Sequence, residues 1–150
     1  MRLGYWGTGA GCEPRVKVLR DNPGAGWHLL AAIAAMRVDG PVSGYRALYA
    51  GGAHRLIGLG PGFFTKVLYF AGWNRAAGDR QPLILDRNVV IALNEQADLG
   101  WELNGQWSGD QYAKYLNLAH EWAARWGKGT TPDVVERVLF EHGRRLSRKA

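Results

Sequence analysis

The sequence predicts an all-α domain, and three observations carry that prediction. Alternating apolar and polar runs of the β type are weak throughout the chain. Apolar residues instead recur at three- and four-residue spacings in several segments. Helix-opening residues precede those segments (Asn22-Pro23, Ser43, Asp86, Ser108, Thr131-Pro132), and Gly40-Pro41, Gly51-Gly52 and Gly127–Gly129 end them. The pattern amounts to about six to eight helices. No internal repeat, low-complexity segment or second domain interrupts residues 1–150, so a single compact domain is expected.

A chain of 150 residues can bury a real core, and 47% hydrophobic with 21% charged residues fits an ordinary globular protein. Lys and Arg outnumber Asp and Glu, 19 to 13, for a net charge of +6. That balance suits a polyanionic partner such as nucleic acid, or a merely basic solvated surface. The single Cys12 excludes an intrachain disulfide and fits a reducing compartment. His28, His54, His120 and His142 are scattered without ligand spacing, so no metal site is expected. With neither a signal peptide nor an apolar run of membrane length, the expected setting is cytoplasmic, at the nucleoid, as a monomer away from membranes.

In chain order, Met1 to Gly11 is glycine-rich around Tyr5, Trp6 and Thr8. Such a loop can fold over a flat group, or Trp6 can simply plug the core edge. Pro14 to Arg20 reads as a short basic helix. Asn22 as cap and Pro23 at the first helical position start a helix with Trp27, Leu29, Leu30, Ile33, Ala34 and Met36. It is apolar on most sides and should be buried, with alanines admitting a close neighbour, up to Gly40-Pro41. Ser43 caps the next, bearing Tyr45, Leu48 and Tyr49. Pro82 to Leu85 is a short buried extended lead-in, and Asp86 caps Arg87–Leu93. Residues 95–106 look irregular. Ser108 and Gln111 form a capping box before Tyr112, Tyr115, Leu116, Ala119, Trp122, Ala123 and Trp126, a core face. Thr131-Pro132 opens a last helix through Val134, Val135, Val138, Leu139 and Phe140 with a basic end.

Between them lies the stretch that carries chemistry. His54 to Leu59 reads as a short helix with Leu56, Ile57 and Leu59 inward, followed by a glycine hairpin at Gly60-Pro61-Gly62. A second helix from Phe63 carries a Phe64, Val67, Leu68 and Ala71 stripe, with Lys66 off that face. The two glycines allow conformations closed to other residues and let another backbone or a phosphate approach closely. Free N–H groups at the start of a helix favour an anion there. Asp86 follows Lys66 by twenty residues (86 − 66). Alone, Lys66 would read as a solvated or phosphate-binding cation and Asp86 as a cap.

Gly60, Gly62, Thr65-Lys66 and the Asp86 after Pro82-Leu83-Ile84-Leu85 together resemble the helix-hairpin-helix DNA glycosylases, and within them the lysine-bearing 8-oxoguanine glycosylase/lyase branch. The N-terminal Trp-Gly-Thr-Gly (residues 6–9) and the Val-Glu-Arg-Val-Leu-Phe segment (residues 135–140) bring the chain closer to a small bacterial subgroup of that branch. Phe63 and Phe64 stand between the second glycine and Thr65-Lys66, where the commoner spacing has none.

The resemblance implies an all-α domain built around a helix-hairpin-helix unit that excises a damaged or modified base from double-stranded DNA, as a DNA glycosylase with AP-lyase activity in base excision repair. An oxidised purine such as 8-oxoguanine is the implied base. It makes Lys66 the nucleophile and Asp86 the stabilising carboxylate, with Gly60 and Gly62 on a DNA phosphate. No cofactor is implied beyond a monovalent cation shared by the hairpin and that phosphate.

The chemistry agrees. A base inside duplex DNA must be flipped out to be cut, which needs a phosphate grip, charge stabilisation at C1′ and a stacking surface. Gly60, Gly62, Thr65, Arg55 and Arg87 are the candidate DNA contacts, and Trp6, Trp73, Trp101 and Trp107 the candidate base pocket. A neutral Lys66 amine attacks C1′ only if desolvation or nearby positive charge (Arg55, Arg75 or Arg87) favours its deprotonation. Removal of a modified base from foreign (phage) DNA and a helix-hairpin-helix DNA-binding module without catalysis remain alternatives; an RNA-directed protein is a third.

Overall fold

Seven helices make up the regular structure among the described residues, and no strand occurs there. The computed structural model describes residues 13–73 and 80–149, and backbone alone for 13–16. Trp6 and its glycine-rich neighbours, and Arg75, lie outside the described residues. The helices are α1 (Glu13–Asp21), α2 (Ala25–Asp39), α3 (Pro41–Leu48), α4 (Pro61–Gly72), α5 (Arg87–Ala97), α6 (Gly109–Trp126) and α7 (Pro132–Ser147). The all-α reading therefore holds. No helix among them is long and apolar enough to cross a membrane.

Two glycines set the closest helix pairs. A Cβ on Gly44 of α3 would stand 2.7 Å from Met36 Cβ and 3.0 Å from the Ala32 carbonyl of α2, so these helices pack nearly backbone to backbone. A Cβ on Gly143 of α7 would stand 1.8 Å from the carbonyl oxygen of Asn88, in the first turn of α5. α7 also packs on α6, and α3 on both α4 and α6. At the centre, Tyr45 of α3 stacks on Tyr112 of α6 at 4.2 Å and meets Phe64 of α4 edge-on at 5.0 Å. All three rings are buried, and such ring pairs add about 0.5–1.5 kcal/mol each beyond their area. Tyr45 also donates its hydroxyl to the Trp107 carbonyl at 2.5 Å.

Several helix starts differ from the sequence expectation. Asn22 does not cap α2. Its side-chain amide donates back to the Val18 carbonyl at 2.6 Å and closes α1, while Gly24, in the left-handed region, precedes α2. Ser43 is no cap either, because Pro41 already occupies the first turn of α3. α2 is not buried all round: Ala25, Ala32 and Met36 face the core, whereas Trp27, Leu30 and Val38 are exposed. Residues 54–59 form turns, not a helix. Leu56 and Leu59 are nevertheless buried, and Ile57 is exposed. α5 continues to Ala97, so the irregular connection begins at Asp98. The Asp86 cap and the Ser108–Gln111 capping box are both present.

Candidate active site

The site is built on an extended lead-in that no strand supports. Side chains from three helices hold it instead. The Tyr112 hydroxyl accepts the Leu83 N–H at 3.1 Å and donates to the Leu83 carbonyl at 2.9 Å. Tyr115 donates to the Ile84 carbonyl at 3.1 Å, and Glu136 Oε2 accepts the Ile84 N–H at 3.2 Å. Thr65 Oγ1 accepts the Leu85 N–H at 3.1 Å while donating to the Pro61 carbonyl at 2.6 Å. Leu83, Ile84 and Leu85 are buried, so each unpaired backbone group here would cost about 1–3 kcal/mol. The next residue is Asp86.

Asp86 is half-buried and caps α5, its Oδ1 accepting the Val89 N–H at 3.1 Å. Burial raises its pKa above the ordinary aspartate value. The Val89 N–H, the Lys66 charge and the Asn88 N–H each pull it back. Lys66 therefore lies within electrostatic reach of Asp86. The two line one cleft of about 390 Å³.

Helix α4 supplies the floor of that cleft. Gly60 is its N-cap and Pro61 its first residue, so Gly62 belongs to the first turn and the hairpin is shorter than expected. Gly60 has φ −85°, which any residue adopts, and Gly62 has no left-handed φ. Neither glycine uses the conformational freedom it allows; the left-handed residue upstream is Gly58, φ +86°. What Gly60 and Gly62 share is space. A Cβ on Gly60 would meet nothing within 4 Å, and one on Gly62 would meet only Asp86, at 3.5 Å from its Cβ. Their absent side chains leave the start of α4 open to a ligand. Upstream, the Gly58 turn belongs to a loop pinned at His54, whose N–H donates to the Ala47 carbonyl at 2.9 Å and whose Nδ1 lies 3.2 Å from His28 Nδ1.

The opposite wall is the connection 103–107, with Asn104, Gly105, Gln106 and Trp107, and the first turn of α5 adds Arg87 and Asn88. Trp107 is buried and donates its Nε1–H to the Glu102 carbonyl at 2.7 Å. A smaller cleft of about 240 Å³ adjoins across Gly58, Gly60 and Gln106, and Arg55 lines it.

Of the residues expected from sequence, Lys66, Asp86, Gly60, Gly62, Arg87 and Trp107 come together in the larger cleft. Arg55 faces the neighbouring one. Thr65 is fully buried with its hydroxyl engaged on both sides, so it is a structural clamp and not a DNA contact. Trp101 packs half-buried beside the core, its backbone paired with Asn94, and Trp73 stands exposed at the end of α4; neither lines the cleft. Trp6 lies outside the described residues.

Sequence reasoning passed over Glu136. It is buried, and burial pushes its carboxyl up to about 8; the Ile84 N–H opposes this, Asp86 and Asp133 add to it, and Lys66 opposes it. Its spacing was a usable signal: Glu136, Leu139, Phe140 and Gly143 fall at intervals of three, four and seven, one helix face.

The cation implied by the resemblance would be held by backbone carbonyls of the hairpin. The Gly60 carbonyl already accepts the N–H groups of Phe63 and Phe64, and the Pro61 carbonyl accepts Thr65. Among the described residues no group of three or more His, Cys, Asp or Glu could hold a metal ion.

No curated protein and no solved structure matches this chain. Residues 2–140 do match a protein family, described as "Putative 8-oxoguanine DNA glycosylase OGG-like protein", and the chain belongs to that family.

Proposed function

We propose that this protein is a DNA glycosylase that flips a damaged or modified base out of double-stranded DNA and releases it with Lys66 and Asp86. One observation carries the reading: these two residues, far apart in the chain, line one half-open cleft together with the start of α4. Family membership supports the reaction class.

In this account α3, the loop through Gly58 and α4 act as the helix-hairpin-helix unit. The N–H groups of Gly60 and Gly62, on either side of Pro61, which has none, take a DNA phosphate at the positive end of α4. That grip lets the target nucleotide rotate into the cleft. As the N-glycosidic bond breaks, the base leaves with the bonding pair and C1′ gains positive charge, which the Asp86 carboxylate stabilises. The Lys66 amine forms the new bond to C1′, and the proton it gives up neutralises the departing base. Ring opening then yields a Schiff base, and loss of a C2′ proton breaks the C3′–O bond, which is the AP-lyase step. Arg87 lines the same cleft. No step requires a cation at the hairpin.

The family description favours an oxidised purine, 8-oxoguanine in particular. The test is incubation with duplexes that differ only in one base: guanine, 8-oxoguanine, and bulky modified bases of the kind found in phage DNA. Free base and strand cleavage are measured together. Release of 8-oxoguanine with a nick is expected. Release of a different modified base keeps the mechanism and changes the substrate. Tight binding with no base released from any duplex overturns the catalytic reading in favour of a binding module.

A further inference from the structure

Glu136 is the buried ionisable group that the proposed chemistry leaves unused. It reaches the site from α7 through one bond, its Oε2 accepting the N–H of Ile84, two residues before Asp86. The other bonds to Leu83–Leu85 come from the hydroxyls of Thr65, Tyr112 and Tyr115. Glu136 is thus the one member of this cradle whose charge can change near neutral pH.

Charged and titratable groups reach it from four elements. Lys66 and Tyr69 are contributed by α4, Asp86 by the lead-in, Tyr112 and Tyr115 by α6, and Asp133 by its own helix. Tyr69 is raised by burial, then by Glu136 and Asp133, while Tyr115 is raised well above its ordinary value by burial and then by Glu136. Lys66 is the only cation in this group, and it faces two carboxyls.

We propose that Glu136 is a positioning residue of the active site: from α7 it fixes the backbone that carries Asp86, and with it the place of the Asp86 carboxylate. The inference rests on the glycosylase reading for its effect on rate, though not for its effect on Asp86. Ile84 is buried, so its N–H without Glu136 loses its acceptor and the lead-in must shift to find another. Asp86, two residues on, moves with it. Burial pushes the Glu136 carboxyl up to about 8, so a neutral acceptor serves in this place.

Glu136→Gln keeps an amide oxygen for the Ile84 N–H, whereas Glu136→Met fills a similar volume and removes the acceptor. Single-turnover base release from the preferred duplex is measured for the native protein and both variants, beside their DNA affinity. Glu136→Gln should keep the native rate. Glu136→Met should bind DNA as tightly and release base at least tenfold more slowly, since a displaced carboxylate no longer meets C1′. In parallel, carboxyl carbon NMR of the free protein labelled at Asp and Glu follows the Asp86 titration, which should match the native one in Glu136→Gln and differ in Glu136→Met. A Glu136→Met protein with the native rate and the native Asp86 titration overturns the proposal. If no duplex is turned over, the glycosylase reading fails on its own, and the NMR titration still decides: an Asp86 titration identical in all three proteins overturns the inference. If Glu136→Met does not fold, hydrogen exchange of the Ile84 amide in the native protein decides, and an unprotected amide overturns the inference.

Discussion

Thr65 Oγ1 lies 3.1 Å from the Leu85 amide and 2.6 Å from the Pro61 carbonyl, so one hydroxyl joins the first turn of α4 to the residue before Asp86. Lys66 is the next residue on the helix. The Lys66 and Asp86 side chains are held together by their neighbours, one on each side of this clamp.

Replacing Thr65 by Val keeps the shape but strands the buried Leu85 N–H. A loss of about 1–3 kcal/mol is expected, read as a lower denaturation midpoint. Thr65→Ser keeps the hydroxyl and should recover most of that loss. Equal stability of the Val and Ser variants would contradict the clamp.

The glycines at the start of α4 should matter for binding and little for folding. A methyl at Gly60 meets nothing within 4 Å, and at Gly62 it makes ordinary contact with Asp86. Gly60→Ala should therefore change stability by no more than about 0.5 kcal/mol. Gly62→Leu, projecting into the cleft, should weaken DNA binding whatever the base. Native binding should weaken steeply with salt through counterion release. Unchanged affinity for Gly62→Leu would remove the phosphate from this helix start.

Gly143 is a different case, a glycine required by packing. Its added methyl would lie 1.8 Å from the Asn88 carbonyl oxygen, so α7 and the first turn of α5 must separate. Gly143→Ala should cost roughly 3 kcal/mol, the upper end for overpacking, and should disturb the cleft, because Asn88 lines it. A variant as stable as the native protein would contradict this crossing.

Glu136 also sets a sign for stability against pH. Its folded pKa, about 8, lies above the ordinary 4.5, so folding favours the protonated form. The contribution is complete below the ordinary value and is lost as pH rises from about 4.5 to 8. Asp86, also raised by burial, acts in the same sense. Glu95, exposed and lowered by its hydrogen bond with His142, acts in the opposite one. Relative to Glu136→Gln, the native protein should lose stability between pH 5 and 8 by a few kcal/mol at most. A constant difference across that range would contradict the buried, neutral carboxyl.

Local signals made part of this site legible and hid the rest. Asp86 and Ser108 announced themselves as caps, since capping chemistry is confined to a few adjacent residues. Lys66 and Asp86 were legible as a pair through the family resemblance that they carry together with Gly60, Gly62 and Thr65. Thr65 was misassigned because its neighbour Lys66 drew it to the DNA, whereas the true buried face of α4 runs through Pro61, Phe64, Thr65, Leu68 and Gly72. The 54–59 segment reads as helical by composition. Gly58, in a left-handed turn, and the buried Leu56 and Leu59 instead make it a packed loop. The wall formed by Asn104–Trp107 and the reach of Glu136 from α7 depend on contacts between distant segments, which no local pattern encodes.

The central claim is that Lys66 and Asp86 act as one catalytic unit, and borohydride trapping tests it most directly. Borohydride added during turnover of a processed duplex reduces the Schiff base and leaves the native protein covalently on DNA. Lys66→Gln should lose the adduct while keeping most DNA affinity. Asp86→Asn should fold, since Asn caps about as well as Asp, yet form adduct at least tenfold more slowly, as loss of a stabilising charge at C1′ requires. A Lys66→Gln protein that still forms the adduct would contradict the account and move the nucleophile to another amine.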